Sequence, residues 1–484
     1  MDPVVNFASG IVATAPSPAT SGTSVVLQAG QGARFPDPAT AGAYNITMVP
    51  NGTAAENFYT AAEIARVTAK STDTLTITRA QESTAAKSVA VGWFITLTPT
   101  AKFASDTVAL PRPALATVYG STFPSVLRPA ATDAAEYSWV ADGTSDESEI
   151  NAAISAVASV GAGKVQVLGE FISIDNPILM KTGVRLSGES IGCEIKANTA
   201  MAAMIQLNDN LVHATELDHF FLNGNSLGGT DGIYYNNYGA NQAFNSQPNT
   251  NPDSVHRVHD MFIRYMGSAA SAGHGIILWD WAIRASIFRD IRIQSVTGCG
   301  VIDGAADSHF ENVEIGSSGA SGPTWSEGTT PTGPTPTFDA VGMGFAVYSG
   351  NSMFTNCKAW YSRGHGFYTK TQSIQFSNCQ AQDCYRDGFK DTGGRNQYSG
   401  CQADSNGQAG TGTGYAGFRF SGTATKADVQ SFDRGGQAWV QDYGVVVSSG
   451  ATYSKIDGVT KGNNVAGLSN AAPTGSTISV IQDA

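Results

Sequence analysis

A glycine followed by an apolar residue keeps returning through the second half of the chain. It stands at Gly275-Ile276, Gly300-Val301, Gly344-Phe345, Gly366-Phe367, Gly388-Phe389, Gly417-Phe418, Gly444-Val445 and Gly467-Leu468, at steps of 25, 44, 22, 22, 29, 27 and 23 residues. A second register agrees with it: Phe310-Glu311-Asn312, Phe354-Thr355-Asn356 and Phe376-Ser377-Asn378 recur at 44 and 22, and Cys357, Cys379 and Cys401 at 22 and 22. A fixed period in the low twenties means a solenoid with one short supersecondary unit per repeat. The units carry strand-like residues, little helical pattern and no L-x-x-L-x-L signature. Each therefore reads as one coil of a parallel β-helix with about three short strands. The 44-residue step reads as two units of 22, the second enlarged by a Pro-, Gly- and Thr-rich stretch from Ser321 to Thr337.

Successive coils of such a fold stack about 4.8 Å apart, so residues of equal phase become vertical neighbours. Phe345, Phe367, Phe389 and Phe418 are expected to form an internal aromatic stack, and Cys357, Cys379 and Cys401 a thiol column that packs as small hydrophobes. Asn312, Asn356 and Asn378 are expected to form an amide ladder. Arg289 with Glu311, and Arg292 with Glu314, should meet across one coil as ion pairs.

The rest of the chain is organised differently. Residues 1–107 hold short alternating runs such as Leu75-Thr76-Ile77-Thr78, punctuated by Pro36-Asp37-Pro38 and Pro50-Asn51-Gly52, and read as a small all-β domain. Residues 108–135, with Pro111, Pro113, Pro124 and Pro129, read as a linker. The polar start Ser145-Asp146-Glu147 leads into Ile150, Ile154 and Val157 at helical spacing, and Gly163–Gly169 then switches to period two. The β-helix is expected over 136–470, with a C-terminal tail at 471–484.

The junction carries a recognisable pattern: Asp142-Gly143-Thr144-Ser145-Asp146-Glu147, then Ile150 and Ile154, Gly163-Lys164-Val165-Gln166-Val167 and Gly183-Val184-Arg185-Leu186. It resembles the entry to the right-handed, pectate-lyase-like β-helices of phage tailspikes and exopolysaccharide depolymerases, in which such a helix caps the first coil. Gly32-Ala33-Arg34-Phe35-Pro36, Glu63–Ala69 and Leu75–Glu82 look like small β domains of phage tail and baseplate proteins. The resemblance implies a virion tailspike, usually a homotrimer, that is attached to tail or baseplate proteins by its N-terminal domain and binds, and depolymerises, host surface polysaccharide. A non-catalytic tail fibre or receptor-binding protein on the same fold is the first alternative. The second is a bacterial β-helix polysaccharide lyase or hydrolase outside any phage.

Composition narrows the partners. The formal net charge of −12 argues against nucleic acid and anionic membrane surfaces, both of which demand a basic face. The opening residues lack a basic, apolar leader, which points to a protein made in the host cytoplasm and carried on the virion tail. No cofactor is expected. His256 and His259 resemble a zinc pair, but i and i+3 on a strand face opposite sides, so no metal is expected there.

Glycoside hydrolysis needs two carboxylates, and elimination needs a base beside a uronic acid. Asp383, Asp387 and Asp391 share one coil with Arg386 and Lys390, and Tyr361, His365 and Tyr368 sit at equal phase one coil earlier. Trp279-Asp280-Trp281, near His274, forms the second cluster, with Trp360-Tyr361 further on. From these, Asp383, Asp387 and Asp280 are the expected catalytic acids. Trp279, Trp281, Trp360, Tyr361, His365, Tyr368 and Arg386 are the expected sugar contacts. The competing reading of the first cluster is a solvated polar edge with ion pairs; that of the second is one tryptophan of each pair packed inward.

Overall fold

In the computed structural model the phenylalanines of equal phase are ladder partners, Phe345 with Phe367, Phe367 with Phe389 and Phe389 with Phe418. Their ring centroids are 4.6, 4.5 and 4.7 Å apart and their planes lie within 7° of parallel. A second stack runs Phe288, Phe310, Phe354, Phe376, Tyr398 at 5.1, 4.7, 5.0 and 4.8 Å. These spacings are those of adjacent strands, and both stacks lie in one buried core. The structure describes residues 8–53, 58–97, 114–119, 138–207, 212–236, 255–319, 321–332, 337–434, 441–471 and 473–483. The chain divides into two units, Met1–Arg112 and Pro113–Ala484.

In the second unit an eighteen-stranded and an eleven-stranded sheet wrap one core as a parallel β-helix. Each coil turns at residues with left-handed backbone. One corner column holds His219, Asp260, Asp290, Asn312, Asn356 and Asn378, with φ of 59°, 52°, 53°, 55°, 54° and 53°. Asp, Asn and His tolerate this region better than most residues. The inserted corner residue shifts the inward phase of the strand Thr215–Asn223, so that Leu217 and Phe220, three apart, are both buried. The asparagine column thus marks a corner. Asn312 Nδ2 donates to Asp290 Oδ1 at 2.7 Å along it.

Directly after each corner comes an inward residue, and here lie Cys357, Cys379 and Cys401, all buried and free. Burial pushes the Cys379 and Cys401 thiols well up. The repeating glycine has a steric cause. A Cβ at Gly344, Gly366 or Gly388 would stand 2.5, 2.7 or 2.7 Å from the carbonyl oxygen of the corresponding glycine one coil on.

The 44-residue step differs from expectation. Val301 pairs directly with Phe345, and Phe310 with Phe354, so these residues make one coil and not two. The surplus leaves the solenoid after His309–Gly316 and rejoins it before Phe345–Val347. The ends of the solenoid also extend beyond expectation. Ala114–Tyr119, inside the expected linker, is a strand parallel to Gly163–Leu168. Thr477–Asp483, inside the expected tail, pairs with Lys455–Lys461. In both places the strand satisfies backbone groups that a free segment would leave to water.

The helix Glu147–Ser159 buries Ile150, Ala153, Ile154 and Val157 against the first strands. Asp146 and Glu147 are buried with it. Asp146 accepts the Gly143 and Ser173 N–H groups at 2.7 and 2.8 Å, and Glu147 accepts Asp175 N–H at 3.0 Å. The D-G-T-S-D-E stretch is therefore a backbone-satisfying hinge between helix and coil. The first unit is a closed antiparallel barrel of six strands, Ser9–Thr14, Ser24–Leu27, Tyr44–Val49, Glu63–Ser71, Thr74–Thr78 and Phe94–Thr96. Val12, Leu27, Ile46, Val67, Leu75 and Ile95 fill it.

Candidate functional site

Two of the sequence-derived acids, Asp383 and Asp387, do not open onto solvent. Asp383 is buried and gripped by Arg434 Nη2 at 2.6 Å, with Gln382 Nε2 at 3.0 Å. Asp387 is buried too. It accepts Ala416 N–H at 2.7 Å and Arg419 Nε at 3.0 Å, and His365 Nδ1 stands 3.4 Å away. Asp391 faces the interior, accepting Gly393 N–H and Asn396 Nδ2 at 2.9 Å each. Each carboxylate is held by groups that fix the turns between coils; Asp383 and Asp387 are ion-paired as the competing reading expected, but buried rather than on a solvated edge. The side chains of Asp280 and Trp281 lie outside the described residues.

The sugar contacts are divided. Trp279 is 3% exposed, so the expectation of an open platform there is corrected. Its ring lies over Gly304, where a Cβ would stand 2.2 Å from it, and meets Phe338 edge-on at 5.6 Å. Tyr368 is also buried, stacked on His365 at 5.7 Å. Trp360 is half-buried over Gly316, with Tyr361 against its edge at 5.3 Å and itself exposed.

What covers these groups is the surplus loop. Phe338 packs on Trp279, and Trp325 meets His365 at 6.0 Å. Glu327 reaches His365 Nε2 at 3.2 Å and Lys390 Nζ at 2.5 Å. The His365 hydrogen bond, then Lys390, holds the Glu327 carboxyl well below the usual carboxylate range. Glu327, His365, Asp387 and Arg419 form a continuous polar chain that clamps the loop to the coils.

A different face gathers charge beside open space. A groove of 480 Å³ lies across the first coils, lined among others by Lys164, Gln166, Arg185, Ser187, Glu189 and His219. Period-two alternation places Glu216 and Asp218 on the outer face, either side of inward Leu217. The ladder puts Arg185 beside Glu216 and His259 beside Asp218. Arg185 Nη2 is 2.6 Å from Asp218 Oδ2, and Nη1 is 3.4 Å from Glu216 Oε1. His259 Nε2 stands 3.1 Å from Glu216 Oε1, and Nδ1 2.7 Å from Asp260 Oδ2. His219, at its left-handed corner, reaches Asp218 Oδ1 at 3.1 Å.

Asp218 is fully buried and shared by Arg185 and His219, so it orients them; Glu216 is partly exposed beside Arg185. The set can present cations to an anionic or hydroxyl-rich ligand and move a proton between Glu216 and His259. Ligand atoms of Glu216, Asp218 and His259 lie within 4.8 Å of one another, a spacing that could hold a cation. Arg185 already supplies positive charge at that point. His256 turns inward, bonded to Thr215 Oγ1 at 2.8 Å, so the two histidines do face opposite sides.

A sequence family described as the right handed beta helix region matches residues 274–432. No curated protein matches the chain in sequence. Among solved structures, the A-module of mannuronan C-5 epimerase AlgE6 from Azotobacter vinelandii superposes with a TM-score of 0.50 at 14% identity, covering 71% of this chain and 96% of that one. The tailspike of E. coli bacteriophage HK620 gives 0.48 at 10% identity, covering 70% and 62%. Tailspike protein 2 of bacteriophage CBA120 gives 0.47 at 13%, covering 69% and 49%. The second unit is thus a right-handed parallel β-helix.

Proposed function

We propose that the chain is a phage tailspike whose β-helix binds bacterial surface polysaccharide in the groove beside Glu216 and depolymerises it. The observation that carries this reading is the groove itself. It is open and lined by Lys164, Arg185 and His219, and Arg185 contacts the partly exposed carboxylate of Glu216, which meets the His259 imidazole. The junction motif and the solenoid period support the tailspike assignment through their resemblance to that family. In this reading Glu216 gives a proton to the glycosidic oxygen as its bond to carbon breaks, His259 takes the proton released by the attacking water or by C5 of a uronic acid and returns it to Glu216, and Arg185, oriented by Asp218, holds the sugar. The barrel attaches the spike to the tail, and the spike works as a homotrimer.

The test is to incubate the full chain with a panel of capsular and O-antigen polysaccharides, assaying reducing ends and ultraviolet-absorbing unsaturated sugars. Release of either is expected, and the two readouts separate hydrolysis from elimination. Glu216→Gln should lower the rate at least ~100-fold, the usual range for a positioned acid or base, with polymer binding kept. Binding without product from the wild type would mean a receptor-binding fibre. Undiminished cleavage by the variant would remove the groove from the chemistry.

A further inference from the structure

Arg386 is held in an unusual way. Its guanidinium lies 3.9 Å from the ring centroid of Trp325, on the surplus loop, and 4.7 Å from that of Tyr415. Lys390, Arg419 and Arg434 are engaged by carboxylates, those of Glu327, Asp387 and Asp383. Among the described residues no carboxylate comes within ion-pair distance of Arg386, and its Nε is buried with no hydrogen-bond partner. A buried donor left without a partner is costly, so such an atom normally has one. Burial also lowers the guanidinium pKa, as expected of a cation stripped of water.

Two rings contacting a guanidinium restrict its plane and leave its edge as the direction of recognition. That edge presents forked N–H donors matched to a planar or tetrahedral oxyanion.

We infer that Arg386, between Trp325 and Tyr415, is an anion-recognition point for an acidic group on a bound glycan, a sugar carboxylate or a phosphate. Only the word glycan rests on the tailspike reading; the anion site rests on the arginine alone. It lies on the turn between the strands Gln380–Gln382 and Phe389–Asp391, apart from the strands of the Glu216 groove, and gives the protein a means of selecting charged over neutral polymers.

The test is calorimetric titration of the full chain with trigalacturonate, with inorganic phosphate and with neutral maltotriose. Saturable binding of an anion probe is expected, weakened by added salt and at least ~10-fold weaker in Arg386→Gln, since a charge-assisted bidentate contact is lost. Arg386→Lys, which keeps the charge and loses the fork, should fall between. It serves as the reading if the glutamine variant melts early. Tighter trigalacturonate assigns an acidic sugar, and tighter phosphate a phosphate-bearing polymer. Anion probes binding no better than maltotriose, or binding equally to both variants and wild type, would overturn the inference. Polymer cleavage by a wild type that binds no anion would sink this site and leave the groove standing; anion binding without cleavage would do the reverse.

Discussion

Asp303 points into the β-helix between Leu278 and Val347 of the neighbouring coils, with Oδ1 on Ala305 N–H at 3.1 Å and Oδ2 buried without a partner. Burial pushes its carboxyl up to about 7. The folded state therefore keeps a proton that the unfolded chain, with its ordinary value of 3.8, releases. Stability must fall as pH rises from about 4 to about 7, by something on the order of 4 kcal/mol, and then level off. Asp303→Asn should melt above the wild type at pH 8 and lose that advantage at pH 4; equal melting of the two proteins at pH 8 would contradict it. His256 and His274 act on the acid side. Burial lowers them to about 3 and about 4, so their contribution is lost as pH falls below their ordinary 6.5. At this scale the sequence was only partly readable. The cysteine column followed from spacing, because inward residues of equal phase can only pack. The partners of Asp383 and Asp387 did not, because period says which residues stack, not which backbone N–H or arginine will meet them.

At the scale of elements, the ladder of phenylalanines is the load on which the coils align. Phe367 is buried between Phe345 and Phe389, touching rings above and below at 4.6 and 4.5 Å. Phe367→Ala should cost about 3–5 kcal/mol, the usual penalty for emptying such a site, read by chemical denaturation. A loss below 1 kcal/mol would mean the stack is not continuous. These columns were legible because three coils here keep a strict 22-residue repeat. The groove was not, for the same reason inverted: Thr215 and His256 are ladder partners 41 residues apart, so Glu216, Asp218 and His259 fall outside the period. Alternation around Leu217 and Val258 was the one signal that could have placed them on a common face. Arg289 and Glu311 are ladder partners as expected, yet among the described residues only Arg292 and Glu314 come within reach, at a loose 3.9 Å on an exposed face. Such pairs contribute little.

At the scale of the whole molecule, a barrel with its own core precedes a solenoid whose second core runs from Ala116 to Ile456. The composition shift and the change of period divide the sequence between them, while the strands Ala114–Tyr119, paired with both Ser138–Val140 and Gly163–Leu168, and Thr477–Asp483, paired with Lys455–Lys461, escaped because neither carries the repeat. The solenoid offers several long outer faces, and the proposed use as a spike depends on one of them holding sugar. The groove is formed where Lys164, Arg185 and Glu216 come into lateral register over consecutive coils, which only stacking can achieve. The decisive measurement is a structure of the full chain soaked with fragments of a polysaccharide it binds. Sugar lying across Lys164, Arg185 and His219, with a glycosidic oxygen within hydrogen-bond distance of Glu216, is the predicted result. Sugar bound elsewhere with that groove empty would contradict the account.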